Sequence, residues 1–235
     1  MSILRVGELE VEVIKKDIKN IHLGVYPPIG RVRLSAPTSS DDEKIRLFIV
    51  SKLPWIRKNQ RKFNSKERLS QPRYISRESH YLSGKRYLLD VDVCDSNKNH
   101  VNLEKTKISL FLKENYSVEK REEIFESWLR KGLRARISIL IEKWESLMDL
   151  HCKEWKIKKM KTKWGSCNAE EKRLWFNLEL MKVDDNLLEY IIVHELAHLK
   201  YKHHNKHFFN TLSRYLPDWE YRKTLLNQTL LVFED

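Results

Sequence analysis

The sequence is short of the residues that mark specialised scaffolds. In 235 residues it has 3 Cys, 6 Gly and 6 Pro. The three cysteines (Cys94, Cys152 and Cys167) have no C-x-x-C spacing, which excludes a disulfide framework and suits a reducing compartment. So little glycine and proline excludes collagen-like and low-complexity chains. No run of ~18 apolar residues is present, so no membrane-spanning segment is expected. The opening residues MSILRVGELEVEV carry Arg5, Glu8, Glu10 and Glu12 where a signal peptide has its apolar core. The expectation is a soluble, cytoplasmic protein with no membrane partner.

Acid is also in short supply. Lys plus Arg is 45 against 33 Asp plus Glu, a net charge of +12. The excess is local. Residues 52–86 carry 11 Lys/Arg against Glu67 and Glu78, and residues 153–163 carry 6 Lys against Glu154. Localised positive charge suits a polyanionic partner, so nucleic-acid association through segments 52–86 and 153–163 is one expectation. A solvated face is the plainer reading of the same charge.

Apolar residues make up 41% of the chain, enough for a sizeable core, and the length allows one or two domains. Residues 3–14 alternate apolar and charged side chains, the period of a half-buried strand. Strands are expected at 20–26 and 31–35, joined by the turn Pro27-Pro28-Ile29-Gly30. A helix is expected from Ser39, Ser40 or Asp41 to about Lys62, kinked or split at Pro54. Residues 64–79 read as a loop, 80–93 as a hairpin turning at Ser83-Gly84, and 100–112 as a strand pair. No internal repeat is evident. From Ser117 the period becomes helical to about Met148. Strands at 154–160 and 173–179 follow, with 164–168 between them, then a helix over 184–202 and shorter helices near 205–214 and 218–230. The fold class expected is α+β. Residues 1–115 form a β-rich region with one helical element, and 116–235 form a second domain.

The chemistry gathers in Val193-His194-Glu195-Leu196-Ala197-His198-Leu199. Positions i and i+4 lie about 40° apart around a helix, so His194 and His198 point the same way, as two ligands of one metal must. Glu195 sits beside that metal, where it can accept a proton from a water. A catalytic zinc site takes three protein ligands and keeps one position open. His204 is the first candidate for the third ligand, reached if the helix ends near Lys202 and the chain turns back. Glu220 and His207 are the alternatives, while His203 points away if the helix continues. Tyr201 and Tyr215 are candidate transition-state donors or packing residues.

Four segments together resemble the YgjP-like metallopeptidase family, itself related to SprT-like and Wss-type zincins. They are Thr162-Lys163-Trp164-Gly165-Ser166-Cys167, Asn177-Leu178, Tyr190 to Leu199 and His204-Asn205-Lys206-His207-Phe208. Weaker likeness extends to Arg31–Pro37, Trp55-Ile56 and Tyr81–Tyr87, while 18–21 lacks the arginine-rich stretch such chains carry there. The resemblance implies a zincin-like domain: a long helix, a small sheet, the H-E-x-x-H helix and a following helix that brings His204 as third ligand. It implies a metal-dependent hydrolase with one Zn²⁺ per chain, acting on a peptide or protein. One relative is assigned nucleoside triphosphate pyrophosphatase activity. The alternative is therefore a UTP-type pyrophosphatase with a second divalent cation. A third reading is a nucleic-acid-associated binding protein with a structural metal. Lys163, Trp164, Gly165, Ser166 and Cys167 are candidate substrate-binding residues, because a strand edge beside the metal helix can pair with an extended peptide. Against that, Trp164 can pack the core and Cys167 can act as a small buried hydrophobe.

Overall fold

The computed structural model describes residues 2–26, 30–64, 72–94 and 98–228. Residues 27–29 of the expected turn at 27–30, residues 65–71 of the expected loop at 64–79 and the last two residues of the expected helix at 218–230 lie outside them. The described part of basic segment 52–86 is correspondingly incomplete.

The chain falls into two compact units, Met1–Leu69 and Ser70–Val232. In the first, β1 (Ser2–Val6), β2 (Leu9–Lys16), β3 (His22–Tyr26) and β4 (Arg31–Pro37) form a sheet of order β1-β2-β4-β3. The single strand expected over 3–14 is thus a hairpin, broken where Gly7-Glu8 turns. One face of the sheet buries Val11, Val13, Val32, Leu34 and Ala36 against Ile45, Ile49 and Ile56 of α1 (Asp42–Asn64). Pro54 does not split α1. The carbonyl it deprives of a partner belongs to Val50, which is 46% exposed, so water can replace the lost donor.

In the second unit β5 (Ser79–Leu82), β6 (Lys85–Val93), β7 (His100–Leu103) and β8 (Lys107–Leu112) form a sheet of order β5-β6-β8-β7. Its first hairpin is antiparallel, its second and fourth strands are parallel, and its third is antiparallel to its fourth. Those are the pairings of the first sheet, and each sheet is followed by a long helix. The chain therefore carries one ββββα topology twice, contrary to the reading of an unrepeated sequence. Such a topology needs only apolar alternation and turns in order, which unlike residues supply equally well.

The helix after the second sheet, α2 (Val118–Met148), is capped by Ser117, whose hydroxyl accepts from the Lys120 N–H. Its Phe125, Leu129 and Leu133 are buried in one cluster with Leu89, Ile108 and Leu110 of the sheet. The expected domain boundary between 115 and 116 is therefore corrected. The change of period at 117 marks a change of element, because the sheet's apolar face is covered by the helix that follows it.

A third sheet, of three strands, has order β10-β11-β9, from β9 (Glu154–Lys158), β10 (Gly165–Asn168) and β11 (Arg173–Asn177). β11 runs parallel to β9 and antiparallel to β10, leaving β10 at an edge. A 3-10 turn at Leu178–Met181 leads into α3 (Asp185–Ala197), and α4 (Lys206–Tyr215) and α5 (Trp219–Gln228) complete the described chain. No helix among the described residues is long and apolar enough to cross a membrane.

Candidate active site

Helix α3 carries the H-E-x-x-H segment and is apolar on nearly every side, with Leu187, Leu188, Ile191, Ile192, Val193 and Leu196 all buried. Such a helix is stable only inside a core, and its start is pinned from three directions. Asp184 caps it by accepting from the Leu187 N–H at 3.0 Å. Arg136 of α2 donates to the Asp185 carboxylate and to the Met181 and Val183 carbonyls at 2.9–3.2 Å. The tip of the β5–β6 hairpin donates from Ser83 N–H to Met181 and from Gly84 N–H to Lys182. Gly84 is required there twice over: its φ is +75°, and a Cβ would meet Asp184 at 3.2 Å. Glu189 of α3, half-buried, accepts from Lys143, Trp144 and Arg222 at 2.7–3.0 Å, tying α2, α3 and α5 together.

α3 ends at Ala197, and Asn205 restarts the chain by capping α4 through the Phe208 N–H at 3.0 Å. The turn between them swings His204 over the two helix histidines. The Nε2 atoms of His198 and His204 are 3.1 Å apart, as are those of His204 and His194. All three ligand atoms lie within 4.8 Å of one another. Glu220 and His207 lie outside this group, so the alternatives for a third ligand are not brought to it. Phe208, fully buried, packs its ring 4.7–5.0 Å from all three imidazoles and forms their floor.

The donor set fits a cation. His198 Nδ1 lies 2.9 Å from the Tyr201 carbonyl, which can only accept, so that nitrogen carries the proton and Nε2 presents a lone pair. His194 Nδ1 is buried with no hydrogen-bond partner, so Nε2 is the atom through which that ring can be satisfied. His204 has one Nε2 proton at most and two nitrogens facing it. Two of the separations, at 3.1 Å, are close to the ~3.3 Å expected between nitrogens around a tetrahedral zinc, and bare nitrogens that close repel unless a cation lies between them. Burial, with His198 and His204 adding to it, pushes His194 down to about 3, so it stays neutral and available.

Glu195 is 5% exposed, and burial pushes its carboxyl up to about 8 against the opposing pull of Lys163. It packs directly on β10. A Cβ on Gly165 would meet Glu195 Oε1 at 2.7 Å, Cγ at 2.8 Å and Cδ at 3.0 Å. Gly165 is thus required by close approach to the carboxyl, its φ lying outside the left-handed region. A cleft of about 640 Å³ opens over the histidines and Glu195, walled by Lys163, Gly165, Ser166, Cys167 and Lys202 among others. Trp164 does not line it and packs on the core. Cys167 is half-buried; burial first and Glu195 second push its thiol up to about 11, so it is no thiolate nucleophile. Tyr215 packs edge-on against Trp144, and Tyr201 serves through its carbonyl.

Two supports of this site were marked in the sequence without the role the structure gives them. Asn177 is fully buried, and its amide donates to the Met160 and Lys163 carbonyls at 2.8 and 2.7 Å while its oxygen accepts from the Met160 and Glu179 N–H groups. It fixes the segment that leads into Gly165. The second is β10, expected as a strand edge beside the metal helix although periodicity alone marks 164–168 as a connection. Its signal lies in the Asn177-Leu178 pair and in Arg173–Asn177, which supplies its hydrogen-bonding partner.

A family model described as YgjP-like, metallopeptidase domain matches residues 19–229. The chain belongs to the YgjP-like metallopeptidase family. Membership makes it a metal-dependent hydrolase of the peptidase kind, and the match spans both compact units. Among solved structures the YgjP-like chain is similar to the metallopeptidase zymogen jannalysin of Methanocaldococcus jannaschii, with 29% identity and a TM-score of 0.37 over 40% of this chain and 97% of that one. It is also similar to the metallopeptidase zymogen abylysin of Pyrococcus abyssi, with 19% identity and a TM-score of 0.36 over 41% of this chain and 99% of that one. No curated protein matches.

Proposed function

We propose that this YgjP-like protein is a zinc-dependent peptidase of zincin architecture. His194, His198 and His204 would hold one Zn²⁺ through Nε2, and Glu195 is the general base. The observation that carries this reading is the convergence of three Nε2 atoms beside a buried carboxylate that packs against an edge strand. When bound, zinc supplies a Lewis acid and draws the pKa of a water toward ~7. Glu195 takes a proton from the attacking water as its oxygen bonds to the peptide carbonyl carbon. It then delivers that proton to the leaving nitrogen as the C–N bond breaks. Lys163, which already opposes the effect of burial on Glu195, favours the ionised base needed at the start. The unpaired edge of β10 offers backbone N–H and C=O groups to an extended peptide, which supports a substrate lying along Gly165, Ser166 and Cys167.

Lys163 and Lys202 beside the cleft would also suit a triphosphate, the feature that favours the pyrophosphatase reading with its second cation. One experiment separates the readings: casein-derived peptides and UTP are offered to the wild type and to Glu195→Gln, with and without chelator. Peptide cleavage that is lost with chelator and lost in Glu195→Gln, while bound zinc is retained, is the expected result. Turnover surviving in Glu195→Gln removes the general base. UTP hydrolysis without peptide cleavage moves the assignment to the nucleotide. Bound metal with no turnover of either by the wild type leaves the binding-protein reading.

A further inference from the structure

The three-stranded sheet has a second face that the peptidase reading does not use. Its inner face, with Ile157, Leu174 and Phe176, is buried in the core. Its outer face alternates with these and carries Glu154, Lys156 and Lys158 on β9, Arg173 and Trp175 on β11 and Ser166 on β10, with Glu154 paired to Lys156 at 2.9 Å and to Arg173. The register places Lys156, Trp175 and Ser166 in one row across the three strands. Trp175 is half-buried, and both lysines are exposed. Lys156 Nζ lies 5.7 Å and Lys158 Nζ 5.8 Å from the centre of the Trp175 ring, so two cations flank one outward indole. The chain then leaves β9 through Lys161 and Lys163, both exposed, the latter on the wall of the cleft. Asn177 holds that segment in place through its bonds to Met160 and Lys163.

We propose that this face, Trp175 flanked by Lys156 and Lys158, binds single-stranded nucleic acid, with a base stacked on the indole and phosphates on the lysines. Charge complementarity selects a polyanion: segment 153–163 holds 6 Lys against Glu154 alone, and beyond the pairs of Lys156 with Glu154 and of Lys159 with Glu122 and Glu126 its charge is still positive. The indole selects among polyanions. The acidic side chains of a peptide have no ring to lay on Trp175, whereas every nucleotide of a strand brings a base, and an aromatic on an open sheet face between cations is a sequence-tolerant stacking site. A strand continuing past Lys158 is led by Lys161 and Lys163 to the mouth of the cleft. The proposal goes beyond the peptidase reading and does not depend on it.

The test uses the full chain and fluorescence anisotropy of labelled oligothymidylate at about 50 mM salt, where phosphate contacts are strong. Binding that weakens about tenfold in Trp175→Ala, is largely kept in Trp175→Phe, and falls steeply with added salt is the expected result. Because Trp175 is half-buried, the Lys156→Glu/Lys158→Glu pair probes the same face independently through exposed side chains, and it should abolish binding. No binding by the wild type overturns the proposal, as does equal binding by wild type and the lysine pair. Polyglutamate displacing the oligonucleotide at equal charge concentration also overturns it, since the face would then be a general anion patch suited to acidic protein.

Discussion

Adding one methyl group at Gly165 separates catalysis from metal binding. The alanine Cβ would lie 2.8 Å from Glu195 Cγ, short of the ~3.5 Å at which carbon atoms rest by roughly 0.7 Å. Gly165 is tied to β11 through the register Gly165↔Phe176, and α3 is packed all round, so neither backbone yields readily. The atoms in the way are the far end of Glu195's side chain, and that end moves. The stability cost is therefore small, about 1 kcal/mol or less, at the low end for added core volume. The catalytic cost is large, because a displacement near ~1 Å of a reacting group costs about 10²-fold. His194, His198 and His204 are untouched. The expected Gly165→Ala protein holds zinc as the wild type does, melts within a few degrees of it, and cleaves peptide with kcat about a hundredfold lower. Metal analysis, a thermal melt and a fluorogenic peptide assay measure the three quantities. Wild-type kcat in a folded, zinc-loaded Gly165→Ala would refute the placement of Glu195 as the base.

Three further outcomes follow from the same geometry. His204→Ala should lose zinc by metal analysis under conditions where the wild type holds close to one equivalent, and full retention sinks the third ligand. Asn177→Leu leaves the buried carbonyls of Met160 and Lys163 without donors, a cost of about 1–3 kcal/mol per group, so its denaturation midpoint should drop well below that of an exposed control such as Lys161→Ala. Glu189 is the site of a pH effect. Burial alone would raise its pKa, but the hydrogen bonds from Lys143, Arg222 and Trp144 win and lower it. A depressed carboxylate stabilises fully above its unfolded value of about 4.3, and that contribution is lost as pH falls through the lower folded value. Thermal melts of the chelated protein should fall steeply in that window and less steeply for Glu189→Gln; parallel curves would remove Glu189 from the account.

How much of this was legible in the sequence depends on whether a feature is local. His194 and His198 could be read because helical spacing alone sets their direction. His204 needed the shape of the turn, which no periodicity encodes; the contacts of Phe208 with all three rings and the cap at Asn205 produce it. β10 was expected from its place beside the metal helix and not from its own pattern, since Gly-Ser-Cys-Asn is a strand only by virtue of β11. Asn177 stood out only as part of the Asn177-Leu178 segment and without a role, since its worth lies in carbonyls 14 and 17 positions away. The boundary at 115 failed because periodicity reports element type and says nothing of which elements share a core.

The pinning of α3 sets an order on synthesis. The hairpin tip at Ser83-Gly84 is made about a hundred residues before the Asp184 cap it seats, and Arg222, which secures Glu189, comes later still. These long separations place the cleft among the last parts of the chain to become competent. A ribosome-bound chain already has its ββββα sheet but no assembled histidine centre until His204 and the turn behind it have emerged. A bond-cleaving site that forms only after the sheets before it spends no time open beside them while they are unfolded. By the same logic, a fragment beginning at α2 would carry every catalytic side chain and still lack the tip that sets their helix in place.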